Sequence, residues 1–322
     1  MQKIIKENGE SIVTILSKKK RSLRATVKEI KKNWQLYLFL IIPVIYYVIF
    51  KYIAMVGNII AFRKYRAGGS IFGIRWEGLK YFKQFILDPN FWHLFSNTII
   101  LAVLTMIFTF PLPIILALLL NELRPGKFKS FVQTASYLPH FVSVVMLVGM
   151  IFEVTSLNGP INALIKSLGG AGINFMQSPG WFRPIYVLSR VWQTTGWGTI
   201  MYLSALTAVD SELYEAAKVD GANRWKQTLH VTIPGILPTI ITLLVLNIGG
   251  LLGVSSEQVL LMYNPTIYET SDVIGTYIYR VGLTSIRYSY AAAIGLFEAV
   301  IGFILVTSAN SISRKITQTS IW

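Results

Sequence analysis

Arg190, Trp192, Gln193, Trp197, Tyr202, Asn247, Ser255, Ser256, Glu257 and Glu298 are polar, charged or indole side chains standing in or beside otherwise apolar runs of this sequence. Arg190 brings a cation, Gln193 and Asn247 bring amides that both donate and accept, and the two tryptophans bring flat apolar faces. Polar groups in apolar surroundings are costly, which makes each a candidate for function. Each also has a plainer reading, as hydrogen-bonding glue between helices or, for the tryptophans, as interfacial anchors. Arg190 suits a carboxylate partner and equally suits lipid phosphate reached by snorkelling. Glu298 is expected to face protein or a water-filled path.

Catalytic chemistry has little to build on. Gly126-Lys127 is followed by Phe128, so the phosphate-cradling GxxxxGK[ST] loop is missing, and no GxSxG elbow occurs. His93, His140 and His230 lie far apart, none at metal-ligand spacing with another histidine, and each is expected at an interface. The chain has no cysteine, which removes disulfides, thiolate metal sites and thiol nucleophiles. Neither a catalytic residue nor a metal ligand is assigned.

The elements that position these groups follow from composition. Of 322 residues, 53% are hydrophobic and only 14% charged, which describes a membrane protein. The formal charge of +15 fits loops facing anionic lipid better than nucleic acid, given the long apolar runs. A basic segment at 1–34, including KKKRSLRATVKEIKKNW, precedes an apolar stretch too long for a signal peptide and without a cleavage site. Six spans are expected, at about 35–53, 98–120, 131–152, 185–208, 231–252 and 290–310, within a membrane domain of 35–311 and before a tail at 312–322. The expected class is all-α, because helices satisfy their own backbone in lipid. An interfacial helix is expected over 88–98, with Phe91, Trp92 and Phe95 on its apolar face.

Basic residues set the orientation. The N-terminal block, Arg124, Lys127 and Lys129, then Lys218, Arg224 and Lys226, and finally Arg314 and Lys315 place both termini in the cytoplasm. The segment 54–97, assigned outside, runs against this with Arg63, Lys64, Arg66, Arg75, Lys80 and Lys83.

Residues 214–238, YEAAKVDGANRWKQTLHVTIPGILP, form a polar island between the fourth and fifth spans. Asp210 or Ser211 can cap a helix with Glu212 and Glu215 in its first turns, and Gly221 can stop it. A second short helix is expected over 222–229, with Trp225 and Leu229 on one face, and Pro234 in the first turn of the next span. Local physics alone gives an amphipathic surface loop.

The ordered set Glu215, Ala216, Ala217, Asp220, Gly221, Ala222, Trp225, Ile233, Pro234 and Pro238 resembles the EAA loop of permeases of ATP-binding-cassette importers, in the maltose-type carbohydrate branch. Ile233 stands where that family usually has Leu, and Leu229 where it has an aromatic residue; both keep an apolar face. KYIAMVGNIIAFRKY, WEGLKYF, FPLPIILALLLNELR, ASYLPHF, WQTTGWGTIMYLSAL and DVIGTYIYRVGL look like the subgroup serving alginate and pectin oligosaccharides, and the resemblance runs from about residue 35 to the C-terminus. Arg63 and Lys64 depart from it, standing where an acidic or polar residue is usual.

That resemblance implies a subunit that does not itself hydrolyse ATP. Leu213, Tyr214, Glu215, Ala216, Ala217, Asp220, Gly221 and Trp225 are then expected to form a coupling helix and turn, docked on one of two cytoplasmic ATPase subunits that bind ATP and Mg. A second permease, forming a heterodimer, and an extracytoplasmic solute-binding protein are implied in a bacterial cytoplasmic (inner) membrane. No nucleic acid is implied. For an oligosaccharide substrate, Trp192 or Trp197 would stack on sugar rings while Gln193 and Asn247 exchange hydrogen bonds with hydroxyls. The competing class is an ion-coupled secondary transporter, for which Glu298 is the one obvious midplane group.

Overall fold

The computed structural model describes residues 31–253 and 256–317. Most of the basic segment at 1–34, the end of the tail at 312–322 and Ser255 lie outside the described residues. The chain divides into two units, one ending at Asn58 and one beginning at Ile59.

The first unit is built on α1 (Trp34–Tyr47), which continues through a π turn at Val48–Ile53 and a short stretch at Ala54–Val56. Its run of Leu, Ile, Val and aromatic residues needs no partner strand, since each backbone group is bonded within the helix.

The second unit opens with a hairpin in which β1 (Arg63–Lys64) pairs antiparallel with β2 (Arg75–Trp76), the one departure from the all-α expectation among the described residues. α2 (Lys80–Ile86) follows, then α3 (Phe91–Thr109) and α4 (Pro111–Glu122). α3 and α4 make one 32-residue apolar stretch that bends at Phe110, where Pro111 and Pro113 remove backbone donors. The interfacial helix expected over 88–98 is instead the first part of this span. Phe91 is buried with Phe95 stacked on it, while Trp92 is exposed, so the three do not share one face.

The span expected at 131–152 is broken. α5 (Lys127–Tyr137) ends in a 3-10 turn at Leu138–Phe141, and α6 (Val144–Thr155) restarts under a Ser143 cap that accepts from the Met146 amide. Pro139 and the extended Val142 backbone make the break. α7 (Pro160–Ser167) then leads to α8 (Pro179–Leu206). After α8 come α9 (Ser211–Val219), α10 (Arg224–Gln227), a π turn at Thr228–Thr232 and α11 (Ile233–Gly249). Three short helices, α12 (Ser256–Met262), α13 (Tyr268–Ser271) and α14 (Ile274–Tyr279), precede the 30-residue α15 (Tyr288–Thr317).

Among the described residues, five stretches are long and apolar enough to cross a membrane: Trp34–Phe62, Phe91–Glu122, Val144–Ser167, Arg224–Gly249 and Tyr288–Lys315. α8 is long enough at 28 residues but carries Arg183, Arg190 and Gln193. Its polar residues are sheltered because it packs against α3, α4, α5, α6 and α11. With α8 the count reaches six.

Lipid tails give helices no hydrophobic reason to associate, so close approach and polar contacts must hold the bundle. α8 supplies both. A Cβ on Gly196 would collide with the Ser136 carbonyl of α5, and one on Gly198 would come within 3.1 Å of the Pro113 ring. Thr199 adds a hydroxyl bond of 3.3 Å to the Pro113 carbonyl. Below them, Ala117, Tyr202, Leu206 and Ile236 join α4, α8 and α11 in one buried cluster.

The opposite end is tied by polar groups. Arg280 makes a two-pronged pair with Asp272, at 2.6 and 3.1 Å, and Thr276 donates to the same carboxylate. Asn97 donates to the Glu269 and Asp272 carbonyls and accepts from Arg183. Asp88 accepts from the Asn90 amide and from the Tyr277 and Tyr290 hydroxyls. Partial burial pushes the Asp88 carboxyl up, but these bonds outweigh it and hold it below its ordinary value of 3.8.

Two stability tests follow from these contacts. A depressed folded-state pKa stabilises above the unfolded value and is lost as pH falls through the folded value. Thermal melts in detergent as pH is lowered past 3.8 should therefore show a steeper loss for the wild type than for Asp88→Asn; parallel losses would exclude the carboxylate. Gly196→Val should cost about 1–3 kcal/mol or more through overpacking, lowering the melting temperature by several degrees. An unchanged melt would show that α5 and α8 separate freely.

Candidate functional site

α8 carries the cation of the site. Two adjoining cavities of about 160 and 250 Å³ share Thr105, Thr109, Arg190 and Asn247 in their walls. Arg190 Nη1 donates to Gln193 Oε1 at 2.9 Å, and Gln193 Nε2 donates to the Val142 carbonyl at 3.1 Å. Gln193 is thus a buried bracket between the guanidinium and the break after α5. Among the described residues no carboxylate forms an ion pair with Arg190. Its remaining donors are available to whatever fills the cavity.

The acceptors are arranged around it. The hydroxyls of Thr105, Thr109 and Thr194 each donate to the carbonyl four residues earlier, at 2.6, 2.8 and 2.7 Å. Their proton is used, so they face the cavity as acceptors. Asn247 does the same with its amide nitrogen on Leu243 O at 2.7 Å, leaving its carbonyl oxygen. One cation and several acceptors suit a ligand that has both hydroxyls and a negative charge.

An aromatic wall completes the larger cavity. His140 stacks on Trp197 at 4.4 Å with the rings 5° apart, and Phe141 meets the same indole edge-on at 5.7 Å. His140 was expected at an interface; it lies in the cavity wall instead, because the proline-bearing turn after α5 aims it at α8.

Of the residues singled out from sequence, Arg190, Trp197, Tyr202 and Asn247 converge on this cavity, with Gln193 behind them. Trp192 does not. It faces a separate aliphatic cavity of about 300 Å³ walled by Leu147, Met150, Val154, Ile185 and Leu188. Glu257 lies in the first turn of α12 and lines neither cavity around Arg190. Thr105, Thr109 and His140 were missed, although the i, i+4 spacing of the threonines places them on one helix face.

The second site is the polar island. Asp210 caps α9 by accepting from the Glu212 amide at 2.9 Å, which assigns the cap to Asp210 and not to Ser211. At the other end Ala222 N donates to Ala217 O at 2.9 Å and Gly221 N to Lys218 O at 3.0 Å, a Schellman turn with Gly221 at φ +75°. Asn223 caps α10 through the Lys226 amide. The second helix is shorter than the expected 222–229, because the chain widens into the π turn at Thr228, and Pro234 does sit in the first turn of α11.

The two helices divide their faces. Leu213, Val219 and Trp225 are 53%, 88% and 70% exposed, and Glu215 and Ala216 are exposed beside them. Tyr214 points inward and donates its hydroxyl to Thr232 Oγ1 at 3.0 Å, so it braces the loop and adds nothing to the outer face. Arg224 pairs with Glu122 at the end of α4, at 3.1 Å.

The family model described as "Binding-protein-dependent transport system inner membrane component" matches residues 109–318, which include the polar island and, Thr105 apart, the groups named around Arg190. The chain belongs to this family. It is a multi-pass permease, and an ion-coupled secondary transporter is set aside. The permease is 42% identical to the polygalacturonan/rhamnogalacturonan transport system permease protein YteP of Bacillus subtilis, over 99% of this chain and 100% of the relative. Protein LplB of the same organism is 46% identical over 90% and 91%. In solved structures the permease resembles a chain of a bacterial ABC transporter for the import of the acidic polysaccharide alginate, with a TM-score of 0.82 and 40% identity over 91% of this chain and 99% of that one. A second structure shows that kind of transporter with an alginate pentasaccharide-bound periplasmic protein, at a TM-score of 0.83.

The left-handed Gly221 gives a graded test. Asn tolerates that conformation, whereas a β-branched side chain pays roughly 1–2 kcal/mol or more. Gly221→Asn should keep uptake in reconstituted vesicles and Gly221→Val should lose most of it while still inserting. Equal uptake by both would show that the turn is not needed.

Proposed function

We propose that this permease lines the translocation path of an acidic oligosaccharide of the alginate or pectin type, with Arg190 as the cation that meets its carboxylates. One observation carries the reading: a guanidinium without a carboxylate partner among the described residues lines the two adjoining cavities within the bundle. A cation left unpaired in a low-dielectric setting is costly, and a uronate in transit offsets that cost. Thr105, Thr109 and Asn247 take up hydroxyl protons, and the Trp197–His140 stack offers a wall to the apolar face of a sugar ring. The names of the relatives support the same substrate class.

Power enters at α9 and α10. Leu213, Val219 and Trp225 are the apolar anchor and Glu215 the charged contact for a cytoplasmic ATPase subunit, which binds ATP and Mg. Ala216 and Ala217 permit close approach, while Asp210, Asp220, Gly221 and Tyr214 hold the element in shape. Movement of this loop reaches α4 through Glu122–Arg224 and α11 through Tyr214–Thr232, and the bundle alternates between two packings. A second, different permease completes the path, a solute-binding protein delivers the sugar from outside, and both termini lie in the cytoplasm of a bacterial cell.

The substrate reading is tested by uptake into vesicles containing the whole transporter and its binding protein. Arg190→Gln should lower transport of an oligogalacturonate at least tenfold more than that of its methyl-esterified, neutral counterpart, about the 1.4 kcal/mol or more expected of a charged hydrogen bond. Equal losses would remove the carboxylate role. Glu215→Lys should leave sugar binding intact while uncoupling ATP hydrolysis from uptake; normal coupling would displace the docking surface from α9.

A further inference from the structure

The basic hairpin of β1 and β2 has no part in the transport reading. Helix length sets where it lies. Phe91, at the start of α3, meets Phe85 and Phe297, whereas Glu122, at the end of α4, meets Arg224 of the coupling loop. The 32 residues between those ends span about 48 Å of helix. Tyr65 N donates to Ser289 Oγ at 3.0 Å, and Ser289 donates to the Arg63 carbonyl at 2.7 Å. Ser289 is the second residue of α15, so the base of the hairpin is fastened to the membrane end of a span, on the side away from the coupling loop.

The tip is apolar and open. Ile71, Phe72 and Ile74 are 47%, 53% and 71% exposed. Gly73, at φ +64°, cannot carry a side chain because a Cβ would sit 2.9 Å from the Lys64 carbonyl, so the turn is firmly shaped. Cations ring it. Arg75 and Lys80 share Glu77, and Arg63 is held by the Phe72 carbonyl and the Trp76 ring. Lys64 and Arg66 are exposed, and among the described residues no carboxylate forms an ion pair with either.

We propose that this hairpin binds anionic phospholipid headgroups, with Ile71, Phe72 and Ile74 in the acyl region and Lys64 and Arg66 at the phosphates. Apolar tip and basic rim together are the pattern of an interfacial anchor. A passing uronate fits less well, since the Trp76 ring is already engaged by Phe62, stacked at 5.8 Å, and by Arg63 at 5.6 Å. The proposal also accounts for a basic segment outside that breaks the usual charge bias.

The chain has no cysteine, so Phe72→Cys gives one labelling position in it. The complete transporter, with partner subunits lacking cysteine and an environment-sensitive fluorophore at 72, is placed in nanodiscs of brominated phosphatidylcholine with or without brominated phosphatidylglycerol. Strong quenching that depends on phosphatidylglycerol is expected. Co-purified phosphatidylglycerol should fall roughly fivefold for each cation removed in Lys64→Gln and Arg66→Gln, and should be retained in Lys64→Arg with Arg66→Lys. A fluorophore unquenched in both lipids, or one shielded only when the binding protein is added, would overturn the proposal.

Discussion

A guanidinium inside a lipid-embedded bundle is the constraint on which the rest of this structure depends. Arg190 cannot face hydrocarbon, so α8 must run where other helices cover it, and α3, α4, α5, α6 and α11 pack against it. That placement requires close approach, which Gly196 and Gly198 permit. It also requires the break between α5 and α6. An unbroken helix would bond the Val142 carbonyl internally; the Pro139 turn instead leaves that carbonyl for Gln193 and swings His140 over Trp197. Cation, bracket and aromatic wall are consequences of one helix and one interruption.

The polar island of α9 and α10 obeys a different logic. In the water-facing layer a helix of nine residues has little stability of its own, so its ends are closed by Asp210 and by the Gly221 turn. Capping keeps Leu213, Val219 and Trp225 exposed without letting the element unravel. The same loop is fastened inward at two helices, through Tyr214 and Arg224. The Arg224–Glu122 pair is largely exposed and contributes little to stability, so its value lies in fixing direction.

Much of this was legible in the sequence, for reasons that separate by residue. Apolar length pointed to most of the spans but ran one of them through the break between α5 and α6, whereas the glycine and caps of the polar island pointed to both of its short helices. Membership of the permease family was carried by the order of residues from Glu215 to Pro238. Within the site, Arg190, Trp197, Tyr202 and Asn247 converge as polarity in apolar runs implied. Trp192 carried the same signal and faces elsewhere, since periodicity does not say which side of α8 meets which neighbour. His140 and the threonines were hidden because a threonine bonded to its own helix looks like core, and a turn must be seen before its side chain has a direction. The hairpin cations had no place from sequence alone; the Ser289–Arg63 bond fastens them to the end of α15.

The central claim is that the cavity around Arg190 is the path and the aliphatic cavity beside Trp192 is not. Single cysteines at Thr109 and at Trp192 in the complete transporter test it by labelling with a membrane-impermeant thiol reagent. At Thr109 the side from which the reagent reaches the thiol should switch between the nucleotide-free and ATP-trapped states, and bound oligosaccharide should protect it; at Trp192 neither should matter. Labelling at Thr109 that ignores both nucleotide and sugar would contradict the account.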